Sequence, residues 1–122
     1  MVAVAAGLAI VGQLVGLYLP RTPDAVDRFP GADKLLHAVG FALPVVLVPW
    51  ADTLRRRSVG RLPRARILVL LVWLSVVHAL VSELVQHAAY ANRAGDPLDV
   101  LADWTGIAVG LLAGIALATH QV

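Results

Sequence analysis

The 122-residue chain has no cysteine, which excludes disulfides and thiol chemistry and leaves its redox compartment open. Charge is scarce: 15% of residues are Asp, Glu, Lys or Arg, against about a quarter in an ordinary soluble domain. Several enzyme signatures are missing. There is no HExxH pair, no DDxxD-like run, no serine-triad motif and no glycine loop to cradle a phosphate. Aromatic residues make up 6% of the chain, and none interleaves its one arginine-rich stretch, which argues against nucleic acid as a partner. What remains is apolar: 59% of residues are hydrophobic and the mean hydropathy is strongly positive.

That apolar content is gathered into four stretches, residues 2–19, 35–50, 67–85 and 98–118. Each approaches the ~20 residues that a helix needs to cross a bilayer. The expectation is an all-α, four-transmembrane-helix bundle forming a single domain over residues 1–122, with helices at about 2–19, 35–50, 67–89 and 97–118. The first stretch lacks a basic leader and exceeds a typical signal-peptide core, so a retained helix is expected. Pro44 predicts a kink in the second helix, and Pro49–Trp50 its end. Asp96 followed by Pro97 fits an N-cap and first helical position. Gly7, Gly12 and Gly16 in the first stretch, and Gly106, Gly110 and Gly114 in the last, predict close helix contacts, within the chain or in a homo-oligomer.

Six arginines (Arg55, Arg56, Arg57, Arg61, Arg64, Arg66) crowd between the second and third stretches with only Asp52 beside them. Arginine-rich short loops stay cytoplasmic and attract anionic headgroups. Both termini are then expected in the cytoplasm, with loops 20–34 and 86–97 outside.

The remaining polar residues fall at the ends that this topology places outside. Asp33 and His37 are four apart, Glu83 stands three before Gln86 and four before His87, and Asp99 and Asp103 are four apart. Each set shares a helix face. Asp33 and Lys34 suit a helix cap and a snorkelling ammonium. Glu83 and Asp103 both lie about 9 Å inside their helix ends, in one layer, where two carboxylates need a proton or a cation between them. His78, deeper, suits an interhelical hydrogen bond. Residue types permit a divalent metal at Glu83, Asp99 and Asp103, although no motif specifies one and the cofactor stays unknown.

The segments Asp33-Lys34-Leu35-Leu36-His37, Glu83-Leu84-Val85-Gln86 and Asp99 to Asp103, with Gly106 and Gly110 following, resemble the VanZ-like membrane proteins. The resemblance covers about residues 33 to 114, with the motifs in order and on the expected helices. Where that family often has an aromatic-proline-glycine-arginine stretch, this chain has Tyr90-Ala91-Asn92-Arg93, and Asp103 stands where asparagine is common. Arg93 keeps the family's spacing to Asp99 and is carried over on that basis. The resemblance implies a multi-pass protein of the bacterial cell membrane and envelope, linked through the family's namesake to glycopeptide (teicoplanin-type) antibiotic resistance. It implies no settled biochemical activity.

The leading expectation is an outer-facing pocket that binds membrane lipid or a lipid-linked, phosphate-bearing envelope precursor. Lys34 and Arg93 would stand at its rim, with Asp33, His37, Glu83, Gln86, Asp99 and Asp103 beneath. The alternative is an intramembrane hydrolase or transferase on a lipid-linked substrate, metal-assisted or not, with His37, Glu83 and Asp103 as candidate catalytic groups. A third class is a structural subunit whose polar groups only lock helices. A lipid-shaped groove reaching the cluster favours binding; closed, fully paired polar groups favour the structural class.

Overall fold

The computed structural model describes residues 1–19, 29–61, 65–90 and 95–119. Among these residues four helices follow one another: α1 (Val2–Tyr18), α2 (Ala32–Arg57), α3 (Ala65–Ala89) and α4 (Pro97–Thr119). Ala32–Arg57, Ala65–Ala89 and Pro97–Leu117 are long and apolar enough to cross a membrane, and α1 is a shorter apolar helix.

The distribution of polarity is inverted relative to a soluble protein. The buried hydrophobic residues are Ala6, Leu17, Phe41, Val45, Ala79 and Ile107, whereas His37, Thr53, Ser75, Ser82, Glu83, Gln86, Asp99 and Asp103 are buried polar or charged. Outside stand bulky apolar side chains such as Leu70, Trp73, Leu84 and Leu112, each at least 60% exposed. Water would not tolerate so continuous an apolar surface on a monomer, while lipid demands it and drives polar groups inward. The chain is a helical membrane protein with three candidate spans.

α2 runs further than the sequence suggests. It begins at Ala32, passes through both Pro44 and Pro49, and ends at Arg57 rather than at Trp50. Each proline removes one backbone donor without forcing a stop, which membrane helices tolerate when neighbours support the freed backbone. Arg55, Arg56 and Arg57 occupy its last turn, where cations complement the helix dipole. Arg56 also bonds Asp52 one turn back at 2.8 Å. The end is a Schellman turn: Arg61 N–H donates to the Arg56 carbonyl at 2.8 Å and Gly60 N–H to the Arg57 carbonyl at 3.1 Å. Gly60 adopts φ 67°, which explains glycine there.

The most extensive helix contact is between α2 and α4. A Cβ on Gly106 would run into the Ala38 backbone, and one on Gly110 would lie 2.7 Å from the Ala42 carbonyl. Gly114 is looser, with the Val45 carbonyl 3.8 Å from such a Cβ. The α4 glycines thus behave as the small-residue pattern predicts. Those of α1 make no close contact within the chain: a Cβ on Gly7, Gly12 or Gly16 would meet nothing within 4 Å. α1 packs along α2, and its end is fastened to α3 by hydrogen bonds. Gln86 Nε2 donates to the Leu17 carbonyl and Tyr90 Oη to the Tyr18 carbonyl, each at 3.0 Å, so side chains of and just beyond α3 satisfy carbonyls that the helix end leaves free. As its depth suggests, His78 makes an interhelical bond, with Nε2 3.1 Å from Tyr18 Oη, and its ring stacks on that of Tyr18.

Candidate functional site

The close α2–α4 approach brings the first turns of both helices against the last turns of α3. On α2, Gly31 occupies the cap position and Asp33 lies inside the first turn, making no cap bond of its own. Lys34 does not snorkel away. Its ammonium turns to α4, where it bonds Asp96 at 2.6 Å and also Asp99, with Asp33 at 3.7 Å. The Lys34 hydrogen bond holds the Asp96 carboxyl below the usual carboxylate range. Asp96 also fulfils its expected capping role, since its Oδ1 accepts the Leu98 N–H at 2.9 Å.

One turn deeper, His37 Nδ1 lies 2.9 Å from Asp103 Oδ1, in a buried pair. His37 Nε2 faces Asp99 Oδ2 at 3.8 Å and Asp33 Oδ1 at 3.9 Å. Carboxylates on both sides of one imidazole fix its orientation. From α3, Glu83 Oε2 accepts the Asp96 N–H at 2.9 Å, placing a carboxylate at the positive end of α4. Gly95 makes room for that bond, because a Cβ there would lie 2.9 Å from the Glu83 carbonyl.

Among the described residues two sets of ligand-type atoms gather within 4.8 Å: those of Asp33, His37 and Asp99, and those of His37, Glu83 and Asp103. Asp99 thus joins Asp33 and His37 rather than completing a set with Glu83 and Asp103. Gln86 is 1% exposed and spends its amide on α1, so it supports the site's wall. Arg93 lies outside the described residues. Asp96 and Gly95 are the site residues that the sequence undervalues. The signal for Asp96 is its i, i+3 spacing to Asp99, hidden by its sufficiency as a cap.

A cleft of about 380 Å³ lies between α1 and α2. Leu8, Gly12 and Gly16 form one wall, Leu36, Gly40 and Leu43 the other, and Asp33 and His37 also line it. The open space beside the α1 glycines belongs to this cleft. From Asp33 to Leu43 it extends ~15 Å along α2 at 1.5 Å per residue, about half the hydrocarbon depth of a bilayer.

Comparison with protein-family models, with curated proteins and with solved structures finds no match for the chain.

Proposed function

We propose that this is a VanZ-like membrane protein that binds an amphiphile, holding its hydrocarbon chain in the α1–α2 cleft and its headgroup at the carboxylate cluster. The observation that carries this reading is the continuity of an apolar cleft with Asp33 and His37. A fully paired, closed polar core would have no such opening, which weighs against a purely structural role. The headgroup end of the cleft opens on Asp33 and His37, and behind them Glu83, Asp96, Asp99 and Asp103 complete a carboxylate-rich cluster around Lys34 and His37. Lys34 is already engaged by Asp96 and Asp99, so a phosphate would not find it free. Sugar hydroxyls or an ammonium, which donate to carboxylates, suit this end better. A lipid-linked sugar of the bacterial envelope carries such donors, and its sequestration is the link we infer to glycopeptide resistance.

Orientation is part of the same proposal. Arg55 lies 18 residues beyond His37 on α2, or ~27 Å along the helix, so the arginines and the cluster occupy opposite ends of one span. With the arginines cytoplasmic, the cluster faces outward and both termini lie inside, α1 crossing beside α2 as a fourth span.

The buried His37–Asp103 pair supports a second reading, an intramembrane hydrolase or transferase in which Asp103 orients His37 as general base. His37→Ala would then abolish turnover of a lipid-linked substrate while leaving its binding measurable.

Photo-crosslinking of the purified protein with diazirine-bearing lipids tests the binding reading. Adducts from a glycosyl diacylglycerol, which carries sugar hydroxyls and no phosphate, should concentrate on residues 8–16 and 36–43. Gly12→Leu, which fills the cleft, should weaken capture about tenfold, or ~1.4 kcal/mol. Adducts spread evenly over the outward-facing Leu70, Leu84 and Leu112 would defeat it.

A further inference from the structure

Two oxygens at the centre of the cluster have no hydrogen-bond partner: Glu83 Oε1 and Asp103 Oδ2. Their residues are 6% and 0% exposed, so neither oxygen is relieved by surface solvent. An unsatisfied buried carboxylate oxygen is costly, and among the described residues the nearby positive groups are committed. Lys34 serves Asp96 and Asp99, and His37 Nδ1 serves the other oxygen of Asp103. The remaining need is for positive charge at a point that both free oxygens and the imidazole can reach.

We propose that His37, Glu83 and Asp103 bind one divalent transition-metal ion of the zinc or manganese kind. All three are buried, and their ligand-type atoms lie within 4.8 Å of one another. Ligands about 2.1 Å from a common ion stand roughly 3 to 4 Å apart, so side-chain adjustment alone closes the set. An imidazole beside two carboxylates suits zinc or manganese, whereas magnesium and calcium prefer oxygen alone. Metal binding would take His37 Nδ1 from Asp103 Oδ1, and Nε2–H would then have the carboxylates of Asp99 and Asp33 at 3.8 and 3.9 Å, one of which a movement of under about 1 Å would bring into the carboxylate–histidine–metal arrangement. Three protein ligands leave positions for water or for an oxygen of a bound headgroup. The site stands on these residues alone and does not require the cleft to be filled.

Full-length protein, purified in detergent and stripped with a chelator, is titrated with Zn²⁺, Mn²⁺ and Co²⁺. The expected result is one ion per chain by elemental analysis, a visible ligand-field spectrum with Co²⁺, and a metal-dependent rise in unfolding temperature. Glu83→Gln and Asp103→Asn should each lower affinity at least about tenfold, and His87→Ala, at an exposed position, should leave it unchanged. The cobalt spectrum of the unaltered protein tests the site even where a variant fails to fold. No stoichiometric ion in that protein, or undiminished binding in folded Glu83→Gln and Asp103→Asn, overturns the site and leaves a shared proton to satisfy the carboxylates. Lipid capture measured in chelator separates the two ideas, because the cleft can hold a chain with no metal present.

Discussion

Lys34 holds two helices together through charge. Its ammonium joins the start of α2 to Asp96 and Asp99 at the start of α4, and the Asp99 side chain is only 6% exposed. Lys34→Met therefore leaves a buried carboxylate without its cation, at a cost of about 3 kcal/mol. Thermal unfolding in detergent should show that loss. Asp96, outside the helices, adds a pH signature. A carboxyl held low in the folded state contributes stability that is complete above its unfolded value and is lost as pH falls through the folded one. The stability gap between the unaltered protein and Asp96→Asn should be full at neutral pH and close as pH drops below the ordinary carboxylate range; a gap unchanged near about pH 2 contradicts this. The convergence of Asp33, His37, Glu83, Asp99 and Asp103 is legible in the sequence because lone charges in hydrocarbon must find one another. Lys34's partners are not, since a lysine at a helix end has a sufficient local reason to face solvent. Gln86 reads as a ligand in the sequence because its partner is a backbone carbonyl on α1, which no side-chain pattern marks.

Helix existence is readable from apolar length, but the α2 boundary is not. Two prolines and a basic run look like an ending, whereas the helix carries Arg55, Arg56 and Arg57 in its last turn. The glycine patterns of α1 and α4 look alike in sequence and differ in structure, because only α4 lies backbone-close to a neighbour. Gly106→Leu and Gly110→Leu should each destabilise the bundle by more than about 2 kcal/mol, since the Ala38 and Ala42 backbone cannot retreat. Gly7→Leu should stay within about 0.5 kcal/mol, as at any open position. Equal losses at all three positions in detergent melts would mean that α1 packs as tightly as α4.

For the whole molecule, the separation of the arginine run from the Asp33–His37 cluster along α2 supports the proposed orientation. Because the chain has no cysteine, single replacements report orientation without interference. Phe29→Cys, 69% exposed beside the cluster, should label with an impermeant reagent from outside intact cells. Ser58→Cys, at the arginine end, should label only after permeabilisation; the reverse pattern would turn the cluster toward the cytoplasm. The central claim is that one amphiphile lies in the α1–α2 cleft with its headgroup against the carboxylates. Paramagnetic relaxation in lipid nanodiscs tests it most directly, comparing a lipid-linked sugar spin-labelled on its chain with the same molecule labelled on its headgroup. The chain label should broaden the backbone amides of Gly12 and Gly40, and the headgroup label those of Gly31 and Asp33. Broadening by the chain label confined to outward positions such as Leu84 and Leu112, with Gly12 and Gly40 untouched, would contradict the account.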